Sequence, residues 1–183
     1  MKIGKPHAPY IANKIAIDLL NSSFITMSSG VEPVAKASQD LIEEDILKEV
    51  SLEERVYEIM EENADEMEFM QVDQRNMFWL IKKRLAPEYG VILSYEDRYS
   101  DLSHKILDTL IQNDLIDFTV SENMVKNIIF GSIESYIEKF EDIEDRVIDK
   151  IKNYKRKLIP GSEEYDIVFE KLYQEELKKI GMM

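Results

Sequence analysis

The stretch Ile42-Glu43-Glu44-Asp45-Ile46-Leu47-Lys48 returns 91 residues later as Ile133-Glu134-Ser135-Tyr136-Ile137-Glu138-Lys139. Both copies set isoleucines four residues apart, the spacing of one face of an α-helix. Extended outward without a gap, the register lays residues 12–90 over 103–181. Lys14, Ile15, Leu19, Ile25 and Val34 fall on Lys105, Ile106, Leu110, Ile116 and Val125. Glu53, Arg55 and Val56 fall on Glu144, Arg146 and Val147, Phe78 on Phe169, and Gly90 on Gly181. A chance overlay of two amphipathic stretches would scatter its matches over both helix faces, whereas these gather at apolar positions. The expectation is an all-α protein with one four-helix unit written twice, residues 1–93 and 94–183, packed together as one structural unit.

Within a unit, the first helix starts near Pro9, which suits a first helical turn. The connectors Phe24-Ile25-Thr26-Met27 and Leu115-Ile116-Asp117-Phe118 are too short to form a sheet alone. They read as packed coil in preference to a ribbon pairing the two copies. The second helix is expected over 31–50 and again over 121–140. Ser51-Leu52-Glu53-Glu54 has the form of a capping box and so marks the start of a third helix. The fourth opens near Asp73 and stops at Ala86-Pro87; its counterpart opens at Ser162 and stops at Gly181. Ser94-Tyr95-Glu96-Asp97 caps the next helix at the junction of the copies. Apolar stripes must be buried, so the second and third helices are expected to pair as antiparallel hairpins. These hairpins would project as two arms from an antiparallel bundle base.

The chain of 183 residues is 44% hydrophobic, with six glycines and five prolines, a composition that suits a helical protein with a sizeable core. Its formal charge of −14 is uneven: from Glu32 to Asp73 fifteen acidic residues stand against Lys36, Lys48 and Arg55. Such a surface repels phosphate backbones and anionic lipid. A basic run, Lys150, Lys152, Lys155, Arg156 and Lys157, reads first as cations complementing a helix end. Without cysteine there are no disulfides, thiolate metal sites or cysteine nucleophiles. Neither a signal-peptide apolar core nor a membrane-length apolar run is present, so a cytoplasmic location is expected.

No Gly-rich phosphate loop, HExxH or nucleophile elbow occurs, and no catalytic residue or cofactor is assigned. The two histidines are His7 and His104. Asp101 and His104 lie on one helical face, a pairing that contributes to a metal site only if further carboxylates converge on it. Acidic pairs such as Glu43-Glu44 and Glu61-Glu62 read as solvated helix faces. The segment Met77-Phe78-Trp79-Leu80-Ile81-Lys82-Lys83-Arg84-Leu85 is apolar nearly all round and ends in cations. Its simplest reading is packing between copies; its functional reading is a partner surface of Trp79, Lys82, Lys83 and Arg84, with Trp79 as aromatic anchor.

Lys5-Pro6-His7-Ala8-Pro9-Tyr10-Ile11-Ala12, the run from Phe78 through Leu85-Ala86-Pro87-Glu88-Tyr89-Gly90 to Leu93, and Tyr95-Glu96-Asp97-Arg98-Tyr99 resemble the bacterial family called domain of unknown function 507. Ile159-Pro160-Gly161-Ser162-Glu163-Glu164-Tyr165-Asp166 and Lys171-Leu172-Tyr173-Gln174-Glu175-Glu176-Leu177 resemble it too. The resemblance spans the chain and implies an all-helical, Y-shaped fold, one-unit and two-unit members, and no established activity. The combined expectation is a non-enzymatic interaction or scaffold protein of the bacterial cytoplasm, mainly monomeric, with protein partners and no membrane contact. The alternatives are a metal-dependent protein using Asp101 and His104, and a nucleic-acid binder using the basic run 150–157.

Overall fold

The computed structural model describes residues 3–154 and 156–180. After a 3-10 turn at Lys5–His7 come α1 (Ala8–Leu20), β1 (Ile25–Thr26), α2 (Val31–Glu62), α3 (Ala64–Phe69) and α4 (Gln74–Leu85). Then follow α5 (Tyr95–Gln112), β2 (Asp117–Phe118), α6 (Glu122–Lys152) and α7 (Glu163–Lys179). The protein is therefore mainly helical, as the periodicity predicts. Two compact units emerge, one reaching to Ile133 and the other beginning at Glu134.

The expected break at Ser51 does not occur. A capping serine needs extended backbone, and no glycine or proline between Pro33 and Pro87 forces one. The buried stripe Val34, Ser38, Ile42, Ile46, Glu49, Leu52 and Val56 instead runs on at helical spacing through Ser51, which faces solvent. At 1.5 Å per residue α2 is about 48 Å long. Helix α6 likewise passes without interruption from Glu122 to Lys152. The hairpins thus differ from expectation: among the described residues no separate second and third helices pair in either half of the chain. In the first unit the C-terminal half of α2 pairs antiparallel with α4, burying Leu52 and Val56 with Ala86 and Val91. Met60, Phe78, Ile81 and Leu85 pack around them. In the second unit α6 and α7 do the same, with Ile143, Val147 and Ile151 against Leu172.

Helix ends follow their local chemistry. The Asp73 carboxylate accepts from the amides of Arg75 and Asn76 at 2.9 and 3.1 Å. Ser162 Oγ accepts from the Tyr165 amide at 3.2 Å and Ser94 Oγ from that of Asp97 at 3.4 Å. Gly90 adopts φ +64°, a left-handed turn after α4. The expected stop at Gly181 lies outside the described residues, and α7 gives way to a turn at Ile180. The connectors are a ribbon, not coil: Ile25 faces Phe118 and Thr26 faces Asp117 in antiparallel register. Neither strand is stable alone, but each satisfies the other, and Thr119 N donates to Phe24 O at 3.2 Å.

Candidate functional site

Helix α4 carries the predicted surface, but the structure divides its residues. Trp79 is 52% exposed, and Lys83 and Arg84 face solvent. Lys82 is not part of this face: it is 3% exposed. Its position on the helix turns it toward α2, where the ammonium donates to Glu49 Oε1 at 2.9 Å and Glu53 Oε1 at 2.7 Å. The same ammonium lies 5.1 Å from the Trp79 ring centroid and 6.0 Å from that of Phe78. Both distances suit a cation held by aromatic rings.

Glu49 joins this cation to a second. Its Oε2 accepts from Arg98 Nη1 at 2.6 Å, and Arg98 Nε donates to Asp45 Oδ2 at 2.7 Å. Arg98 Nη2 adds a bond to the Asp45 carbonyl at 3.1 Å. Burial alone would raise the Glu49 carboxyl, but the hydrogen bonds and charges of Lys82 and Arg98 outweigh it and hold the group low. Burial would lower Lys82, yet Glu49 and Glu53 hold it above its ordinary value. Burial opposes Arg98 in the same way, and Asp45 and Glu49 overcome it. Each charge is thus fixed away from neutral pH, which suits a clamp joining α2, α4 and α5 and not proton transfer.

At offset 91 Asp45, Glu49 and Lys82 correspond to Tyr136, Phe140 and Tyr173. These are aromatic neighbours: Tyr136 and Phe140 have centroids 4.5 Å apart, Phe140 and Tyr173 6.1 Å. Burial raises the Tyr173 phenol to about 12. One hairpin is clamped by ions and the other by tilted aromatic rings in contact.

The other sequence candidates stand apart. His104 is exposed, and Asp101 is engaged by Lys105 at 2.6 Å. Burial lowers the His7 imidazole, keeping it neutral at pH 7. Among the described residues no three His, Asp or Glu side chains converge to hold a metal. In the basic run, Lys152 meets Asp149 at 3.1 Å and Arg156 meets Glu164 at 2.9 Å. Lys150 meets Glu176, whose carboxyl is drawn down to about 2 by hydrogen bonds from Lys150 and Lys179. Lys155 lies outside the described residues. Among the described residues no helix is long and apolar enough to cross a membrane.

The sequence reading missed the closed end of the α2–α4 hairpin. There α3 crosses between the helices, and Ile59, Met67, Met70, Val72, Met77 and Ile81 line a cavity of about 360 Å³. Asn63 and Glu66 complete its lining. Phe69 is 90% and Met70 65% exposed. Methionine recurrence at 60, 67, 70 and 77 was the available signal. For the ion cluster it was Glu49, a carboxylate on the stripe that includes Ile42, Ile46, Leu52 and Val56.

A search of curated proteins finds no match to this chain. The family model described as "Protein of unknown function (DUF507)" matches residues 1–182, and the chain belongs to that family.

Proposed function

We propose that this is a non-enzymatic interaction or scaffold protein of the bacterial cytoplasm. Its partners are proteins, met by the exposed α4 face of Trp79, Lys83 and Arg84 together with the adjoining hairpin end. The observation that carries this reading is a run of touching rings on one hairpin: exposed Tyr57 meets Phe78 at 5.0 Å and Phe78 meets exposed Trp79 at 5.8 Å, with Leu80, Phe69 and Met70 of the same hairpin also facing solvent. Exposed apolar surface of this kind marks an interaction site. The test is capture from native extract by the intact chain, side by side with Trp79→Ala and Arg84→Glu. A partner that survives a moderate-salt wash and is depleted by either variant supports the reading; equal capture by all three removes it.

The scaffold is read as a unit written twice, 1–93 and 94–183. Supporting this, α2 and α6 begin 91 residues apart, at Val31 and Glu122. The ribbon sets Thr26 opposite Asp117, its own counterpart at that offset, as a local twofold relation requires.

A further inference from the structure

We propose that the methionine-lined cavity at the closed end of the α2–α4 hairpin receives the apolar anchor of a basic amphipathic helix from a partner protein. This rests on the interaction reading above and adds the site and the chemistry of its ligand. A cavity of about 360 Å³ lies at the low end of binding-pocket sizes and suits one or two bulky side chains. Met67, Met70 and Met77 supply flexible, polarizable walls that repack around anchors of different shape.

The surrounding charge selects the partner. Between Val56 and Gln74 there is no lysine or arginine; Arg55 engages Glu58 and Glu62 at 2.9 and 3.4 Å, and Glu61, Asp65, Glu66 and Glu68 are exposed beside them. This end therefore attracts cations and repels anionic lipid and nucleic acid. Its lining comes from α2, α3, α4 and the turn 70–73 and offers no strand edge, so a docked helix, not an added strand, fits it. The apolar lining is particular to this hairpin: at offset 91, Ile59, Met70 and Val72 become Lys150, Gly161 and Glu163, and the cavity of about 260 Å³ at the turn between α6 and α7 has Lys152 and Lys157 in its lining. A second copy of the chain is the weaker occupant: two chains of net charge −14 repel, which the exposed Lys83 and Arg84 do not offset, and Lys150, Lys152 and Arg156 are already met by Glu176, Asp149 and Glu164 of their own unit.

The test uses the full chain and a fluorescein-labelled helical peptide of leucine and lysine, with fluorescence anisotropy as readout. A control peptide keeps the leucines and replaces lysine by glutamate. The expected result is saturable binding of the lysine peptide, at least about tenfold weaker for the control, a difference of about 1.4 kcal/mol. Met70→Glu should weaken binding by at least about tenfold. That variant adds negative charge, so simple attraction between an acidic protein and a cationic peptide predicts tighter binding instead. Met70 is exposed, and circular dichroism checks that the fold is kept. Unchanged or tighter binding by Met70→Glu overturns the proposal. So does equal binding to zwitterionic vesicles, which assigns the end to lipid, or a dimer abolished by Met70→Glu, which assigns it to a second copy. Partner capture lost in Trp79→Ala but intact in Met70→Glu would overturn the cavity while leaving the interaction reading standing.

Discussion

Glu49 binds cations from two different helices, so its loss leaves more than one charge exposed to a dry interior. Removing one member of a buried ion cluster costs about 3–5 kcal/mol, because the partners stay buried without compensation. Glu49→Leu is accordingly expected to lower unfolding free energy by about that amount in urea titrations followed by Trp79, the chain's one tryptophan. Converting the cluster to its counterparts, with Asp45→Tyr, Glu49→Phe and Lys82→Tyr together, is expected to cost less than the three single changes summed. Glu176 gives a pH signature. Its folded value of about 2 lies below the ordinary 4.5, so its contribution is full above pH 4.5 and fades as pH falls toward 2. The stability gap between the wild type and Glu176→Gln should close over that window in acid titration. The Glu176–Lys179 contact is local, three residues apart, but the Glu49 cluster was not legible that way: Glu49 and Lys82 are 33 residues apart, and Lys82 in sequence looks like its exposed neighbours Lys83 and Arg84.

At the scale of the element, α2 separates two meanings of one signal. Ser51-Leu52-Glu53-Glu54 and Ser162-Glu163-Glu164-Tyr165 both offer a serine before acidic residues, yet only Ser162 follows a proline-glycine breaker. Only Ser162 caps. Ser51→Ala is therefore expected to stabilise by a few tenths of a kcal/mol, as alanine does in an exposed helix interior. Ser162→Ala is expected to destabilise by about 1 kcal/mol through loss of its cap. Matched thermal unfolding curves distinguish the two. Caps at Asp73, Ser94 and Ser162 were readable because breakers or short loops precede them. The long helices were not, because whether a stripe continues past a serine depends on the residues it packs against.

Across the whole molecule, the repeat of apolar positions and the uneven charge were visible in the sequence, but the burial that converts them into a site was not. Methionines 67, 70 and 77 line one cavity only because α3 folds across the end of the hairpin. On the proposed reading of a unit written twice, the chain carries internally the contact a pair would make and is expected to remain a monomer, with a light-scattering mass near 21.5 kDa; a dimer mass would contradict this. The most direct test of the docking account labels the methionine methyl groups with ¹³C and titrates the leucine–lysine peptide while recording NMR spectra. The account predicts that the Met67, Met70 and Met77 signals shift together and saturate while Met27 and Met124, elsewhere in the chain, stay in place. Uniform shifts of all the methionines, or no shift at Met67, Met70 and Met77 when anisotropy is saturated, would contradict it.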